Sequence, residues 1–506
     1  MNASLNAARR TRELARAAET VSDLLVVGLG ATGAGVALDA ASRGLSVTAI
    51  DAHDLAFGTS RWSSKMIHGG LRYLAKGQVG VAMESAAERG VLLCRTAPHL
   101  VRAQPYLLPL TPEVPGGLAA TVMAGYRMGD LLRAAARTPR RVLPGPSRVP
   151  ASRALAMAPA LRAEGLRGAL ASFDGRVVDD ARLVVAIART AAAHGASVLT
   201  RCRALSLSGD GARARDELTG ETFTLRARRV INAAGVWAGG LTDAVTLRPS
   251  RGTHLVLRPG VLGGMRAGLH VPIPGHPGRF ALVLPQEDGR VYAGITDEPV
   301  EGAIPDVPEA PEADVAFLLG VLQSTFATPV TREDVAGAYA GLRPLLAADG
   351  RTADLSRRHA VVKGSDGVVT VVGGKLTTYR RMARDAVDAA FPGAAPSRTS
   401  RLPLTGAPGG PRAASPDTGA RPGPPAPSRL TARYGSEAAA VHRLADPDAE
   451  TLPLGVTTAE LVWAVRHEGA LDAGDLLDRR TRIGLVAQDR AAALPAAERV
   501  LREHLG

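Results

Sequence analysis

Four apolar residues, Leu24 to Val27, run into glycines at 28, 30 and 33, and this junction constrains the chain more than any other stretch. An apolar run ending in this spacing predicts a buried parallel strand, a tight turn and a helix of small residues reaching about Arg43. Gly28 permits the turn, Gly30 lets the backbone approach a pyrophosphate, and Gly33 lets the helix pack closely on its strand. The helix N-terminus then offers free N–H groups and the positive end of its dipole to an anion. A second strand, Leu45 to Ile50, ends in Asp51, where a carboxylate meets an adenosine ribose hydroxyl. Strand, glycines, helix, strand and acid in this order predict a bound dinucleotide.

The 506 residues exceed one simple domain and predict two or three. Aromatic residues make up only 3%, so the core must rest on Ala, Val and Leu. No apolar run approaches the ~18 residues of a membrane-spanning helix. Residues 1–20 carry four arginines without an apolar core segment, which argues against a signal peptide. Cys94 and Cys202 stand alone, without metal-ligand spacing, and predict a cytosolic, disulfide-free chain with no metal. The formal net charge of +13 favours anionic partners. It comes from scattered arginines rather than a basic run with aromatics, so nucleic acid is not expected.

Along the chain, residues 1–22 read as a basic helical extension. Residues 58–73 are dense in hydroxyls, glycines and cations without a helical or strand period. They predict a loop wrapped around the cofactor. Val79 to Ala97 has helical composition, and Pro105 to Pro115 is broken by prolines. Leu118 to Ala136 returns to a helical pattern and is expected to pack in the core rather than against lipid. Asp179 and Asp180 stand at a helix start, where a cap and a dipole partner are the expected roles. Arg229 to Ala238 is a strand running into small residues. Residues 246–350 alternate short strands with Pro/Gly turns, as an antiparallel cap over a site would. Val368 to Val372, Gly373-Gly374 and a following helix form the third glycine landmark. Ten prolines between 392 and 427 mark a linker, and the rest of the tail reads helical.

Five motifs together resemble the FAD-dependent, respiratory type of glycerol-3-phosphate dehydrogenase. They are Gly28-Leu-Gly-Ala-Thr-Gly-Ala-Gly35, Ser64-Lys-Met-Ile-His-Gly-Gly-Leu-Arg-Tyr73, Val178-Asp-Asp-Ala-Arg182, Asn232-Ala-Ala-Gly-Val-Trp237 and Gly373-Gly-Lys-Leu-Thr-Thr-Tyr379. Ala464-Val-Arg-His-Glu468 and Asp478-Arg-Arg-Thr-Arg482 extend the resemblance into the tail. It departs at Asp51, where Glu is frequent, at Ile295 within Gly294-Ile-Thr-Asp297, and at Arg358.

The resemblance implies an α/β fold. A two-segment Rossmann-like FAD-binding domain (23–392) would be interleaved with an antiparallel β-sheet cap, mainly 81–170 and 246–350. A Pro/Gly-rich linker (393–429) and a small C-terminal helical domain (430–506) would follow. FAD would be held by Gly28, Gly30, Thr32, Gly33, Asp51, Thr59, Ser60, Ser64, Lys65, His68, Gly69, Gly70, Ala234, Gly235, Gly374, Lys375, Leu376 and Thr377. Arg72, Tyr73, Arg357 and Lys375 would bind substrate, with His254 and Arg343 as rival proton acceptors. A phosphate dianion wants several such cations.

The implied reaction oxidises sn-glycerol 3-phosphate to dihydroxyacetone phosphate, with electrons passed to a membrane quinone. The implied location is the cytoplasm, peripheral on the anionic inner face of the membrane, and a homodimer is compatible with it. An oxidase that reduces oxygen to peroxide, and an FAD-dependent amine or amino-acid oxidoreductase, are the competing readings.

Overall fold

The computed structural model describes residues 2–74, 77–276, 278–347, 358–413, 425–445 and 450–505, without the side chain of Arg72. Arg357, expected at the substrate, lies outside the described residues.

Val21–Val27 is the axis of the first sheet. It pairs in parallel with Val47–Ile50 on one side and Thr222–Asn232 on the other. Val369–Val372 and Ser197–Leu199 extend the parallel order outward. The side-chain period of two divides the strand between two cores. Leu24 and Val26 face the helices Ala31–Ser42, Asp180–Ala193 and Tyr379–Ala390, while Leu25 and Val27 face the other layer. That layer contains the hairpin Cys202–Ser208 and Gly211–Asp216, with Ala17 of the N-terminal helix Ala7–Glu19. The three strand ends that carry small residues, at Gly28, Ala233 and Gly373, thus emerge side by side.

The second sheet is antiparallel through most of its length. Ser250–Leu257 sits between Val291–Gly294 and Val335–Arg343, and the ladder continues through Phe280–Pro285 and Gly268–Pro272. Val101–Pro109 and Ala169–Val177 complete it. A strand therefore replaces the proline-broken segment read at the start of 105–115. Pro105 is tolerated because pairing with Gly268–Pro272 begins only at Tyr106, so its missing N–H leaves no gap in that ladder.

A second expectation is overturned. The helix Gly116–Ala135 is not a core helix: Tyr126 and Arg133 are its buried residues, while Met128 and Leu131 are 49% and 63% exposed. Its helical period is real, and Leu118, Ala119, Val122 and Met123 pack beside Tyr126 on the cluster of Leu108, Leu110 and Leu170, but Met128 and Leu131 are left outside it.

The tail forms its own core from Leu461, Leu476, Leu477, Ile483, Ala493 and Val500, among others. The chain's first residues are sewn to it. Leu5 donates its N–H to the His467 carbonyl at 3.0 Å and accepts from Gly469 N–H at 2.9 Å. The described part of the proline-rich stretch is also packed, with Leu404 and Ala407 buried.

Candidate active site

The carboxyl ends of the parallel strands and one face of the antiparallel sheet enclose a cavity of about 1630 Å³. This is where open α/β sheets hold ligands.

One end is built by the glycine turn. Gly28 has φ +100°, and a Cβ there would lie 2.6 Å from the Ala233 carbonyl oxygen. A Cβ at Gly33 would overlap the Gly28 carbonyl, so the helix approaches its strand as closely as backbone permits. Gly30 caps the helix without a side chain, and Ala31 N–H donates to Ser60 Oγ at 2.9 Å. Asp51 accepts from Leu29 N–H at 2.7 Å and His53 N–H at 2.8 Å. Burial nonetheless raises its carboxyl to about 6, a position waiting for further donors.

At the middle of the cavity, Gly373 and Gly374 turn with φ +76° and +68° into the helix Tyr379–Ala390. Thr377 lines this wall, its Oγ1 buried without a hydrogen-bond partner. Thr32, Thr59, Ala234, Gly235 and Leu376 also border the space. Glycine turns, two helix starts, a buried carboxylate and an orphaned hydroxyl fit an elongated dinucleotide.

Two of the expected cations border the same cavity. Arg343 borders the cavity and is held from behind: Nη1 donates to Ser250 Oγ at 3.2 Å and Asp297 Oδ1 at 3.3 Å, and Nη2 donates to the Thr296 carbonyl at 3.1 Å. Gly252 makes room for it, since a Cβ there would overlap the guanidinium. Lys375 Nζ lies 2.5 Å from Ser85 Oγ and 4.1 Å from the centre of the Tyr73 ring. His68 faces Tyr73 with ring centres 6.5 Å apart.

Other expected residues are placed differently. Lys65 is buried away from the cavity, its ammonium 2.6 Å from Asp180 Oδ2. Gly69 and Gly70 stand behind the wall, Gly69 N–H donating to Asp174 Oδ1 at 3.0 Å. His254 is fully buried and reaches the cavity only through Ser64, whose Oγ is 2.9 Å from its Nε2. Burial, with the charges of Lys65 and Arg343, lowers its pKa well below 6.5. Asp179 caps its helix, as its place in the sequence predicts, by accepting from Arg182 N–H at 3.2 Å. Sequence reasoning missed Ser250, Asp297 and Asp174. Asp297 closes the Gly294-Ile-Thr-Asp297 motif, and that was the available signal for it.

Comparison with known proteins gives the family of the chain. Residues 23–380 match the family described as FAD dependent oxidoreductase, and residues 397–506 match the C-terminal domain of alpha-glycerophosphate oxidase. The chain is 50% identical to glycerol-3-phosphate dehydrogenase 1 of Mycobacterium tuberculosis, over 99% of each chain. It is 37% identical to glycerol-3-phosphate dehydrogenase 2 of the same organism, over 96% of this chain and 84% of that one. Among solved structures, glycerol-3-phosphate dehydrogenase from Bacillus halodurans complexed with FAD superimposes with a TM-score of 0.76. It is 27% identical, with 99% of this chain and 94% of that chain covered.

Proposed function

The chain belongs to the FAD-dependent oxidoreductases, among the glycerol-3-phosphate dehydrogenases, and we propose that it oxidises sn-glycerol 3-phosphate to dihydroxyacetone phosphate and passes the electrons to a membrane quinone. The observation that carries the substrate is the 50% identity to a glycerol-3-phosphate dehydrogenase over nearly the whole chain. Arg343 and Lys375, both bordering the cavity, support it.

FAD, when bound, supplies the acceptor for the C2 hydrogen and its electron pair. The chain's own residues do the rest. Lys375 and Arg343 offer charge-assisted donors to the phosphate and to the oxygen that loses its proton. Asp297, Ser250 and the Thr296 carbonyl fix the Arg343 fork, so little reorganisation is needed as charge develops. Trp62 and Trp237 add apolar surface to the cavity lining.

The quinone reading rests on another wall of the cavity. Leu71, Leu74, Leu118, Val122, Met128, Ile273 and Phe280 give it an apolar lining at the helix Gly116–Ala135. That helix exposes Met128 and Leu131, and Arg127, Arg137, Arg140 and Arg141 are exposed beside them. Exposed apolar residues on the same segment as exposed arginines suit a peripheral seat on anionic lipid at the inner face of the cytoplasmic membrane. Among the described residues no helix is long and apolar enough to cross a membrane.

The match of residues 397–506 to a domain described from an oxidase keeps oxygen as the second reading of the acceptor. Anaerobic mixing with sn-glycerol 3-phosphate should bleach the flavin, and subsequent mixing with quinone should restore it much faster than oxygen does. Faster recovery with oxygen would make the protein an oxidase. A flavin that the substrate never bleaches would overturn the reading.

A further inference from the structure

We propose that Ser64 and His254 form a proton relay, in which the hydroxyl proton of the bound alcohol passes to Ser64 Oγ as the serine's own proton passes to His254 Nε2. This rests on the alcohol-oxidising function given above and deepens it by naming the route of the proton.

Position comes first. His254 has no exposed surface, while Ser64 borders the cavity with its Oγ 2.9 Å from His254 Nε2. A substrate in the cavity therefore meets the serine and not the imidazole. The local backbone enforces this order. Lys65 holds φ +56°, a left-handed conformation sustained only when surroundings over-determine it. The turn sends the Lys65 ammonium inward to Asp180 and leaves Ser64 facing the cavity.

The histidine is held for one partner. Its ring stacks on Tyr339, with centres 4.9 Å apart and planes 13° from parallel. On Gly294 any Cβ would overlap the ring. Nδ1 is buried without a hydrogen-bond partner. With the hydrogen on Nδ1, the Nε2 lone pair accepts from Ser64, and the serine oxygen presents its own lone pairs to the cavity. Tyr339 directs its hydroxyl elsewhere, donating to the Ser63 carbonyl at 3.1 Å.

Burial and charge set the resting protonation state of the ring. Burial, with the charges of Lys65 and Arg343, keeps the resting ring neutral and its Nε2 lone pair free to accept, while the departure of the C2 hydrogen with its electron pair draws the alcohol proton along the relay. In the step, the alcohol O–H breaks as a serine O–H forms, and the old serine O–H breaks as N–H forms at Nε2. The C2 hydrogen leaves with its electron pair to the FAD that the family binds. The imidazolium then returns its proton outward through the same serine once the ketone has gone.

The test uses the FAD-loaded full chain as wild type, Ser64→Ala, Ser64→Thr and His254→Gln, each checked for flavin spectrum and melting temperature. Flavin bleaching by sn-glycerol 3-phosphate is followed anaerobically across pH. Ser64→Ala and His254→Gln should each slow bleaching by about a hundredfold. Both should erase the fall in rate that wild type shows at a pH below the ordinary imidazole value of 6.5. Ser64→Thr, which keeps the hydroxyl, should restore both. Nitrogen-15 spectra of labelled histidines should show His254 protonated at Nδ1, with Nε2 shifting in Ser64→Ala. Wild-type bleaching retained in Ser64→Ala, or a hydrogen on Nε2, would overturn the relay alone. Wild type that is never bleached would overturn the substrate reading and the relay with it.

Discussion

The carboxylate of Asp54 is clasped by two successive arginines of the C-terminal region, with Arg480 bidentate at 2.7 and 2.9 Å and Arg479 Nε at 2.7 Å. Neighbouring residues of an ordinary helix point about 100° apart. Asp475–Arg480 is instead wound as a wider π-type turn, which brings both side chains onto one acceptor. Asp54 follows Asp51 and His53, which line the cavity, so the tail braces the loop that carries Asp51.

Removing one partner of such a buried pair leaves the other uncompensated and costs about 3–5 kcal/mol. Asp54→Asn should therefore lower the unfolding midpoint in urea. It should also release flavin, read as a rise in free-flavin fluorescence, at lower denaturant than wild type. Simultaneous loss of both would fit a brace, whereas unchanged flavin retention would show that the clasp supports only the tail.

Arg343→Gln should lower kcat/KM for sn-glycerol 3-phosphate by about 10²–10³, the usual loss when a donor aimed at developing charge is removed. Asp297→Asn leaves the guanidinium in place but loosens its support, and should show a smaller loss in kcat than Arg343→Gln. Equal losses would mean that Asp297 does more than orient the arginine.

Asp51 is raised to about 6 chiefly by burial, against its two backbone donors. Ribose hydroxyls donating to the ionised form would lower that value in the FAD complex, so affinity should fall as pH drops through 6. Asp51→Asn should bind FAD more weakly by about 1–3 kcal/mol and lose this pH dependence. Dialysis equilibrium at several pH values measures both.

Burial lowers His99, His270 and His467 to about 4, and nearby arginines add to the effect at His99 and His467. The unfolded chain binds their protons from about 6.5 downward, so it holds more protons than the fold between 6.5 and 4. Stability from these rings is complete above 6.5 and is lost as pH falls toward 4. The slope is up to about 1.4 kcal/mol per pH unit for each ring. Urea midpoints across this range should decline, and His270→Phe should flatten part of the decline.

Met128→Glu and Leu131→Glu should reduce co-sedimentation with anionic vesicles several-fold while leaving the melting temperature nearly unchanged. Exposed substitutions shift stability by less than about 0.5 kcal/mol. A large loss of stability instead would return the helix Gly116–Ala135 to a packing role.

The parts of the fold that follow from local rules are legible in the residues themselves. The apolar run at 24–27, its three glycines and Asp51 sit where the pattern places them, because a parallel strand and a tight turn leave few alternatives. The helix Gly116–Ala135 is legible as a helix but not in its environment. Its period of 3.6 is the same whether its face meets protein or nothing at all. The cavity's cations are legible as residue types, but Lys65 and Lys375 differ only in direction. The left-handed turn at Lys65 sets that direction, and a lysine does not announce positive φ. The ion pairs from the tail, with Asp54 and Asp179 as receivers, join residues hundreds of positions apart, beyond any local window.

Those distant pairs also tie the two ends of the chain into one cooperative unit. Asp54, Asp179, Arg182 and Arg189 are buried against Arg480, Arg433, Glu468 and Glu437, all of them near the far end of the chain. Until the tail docks, these buried charges lack their main counterparts. Each would cost about 3–5 kcal/mol to bury alone, so closure of the first domain and docking of the tail are energetically coupled.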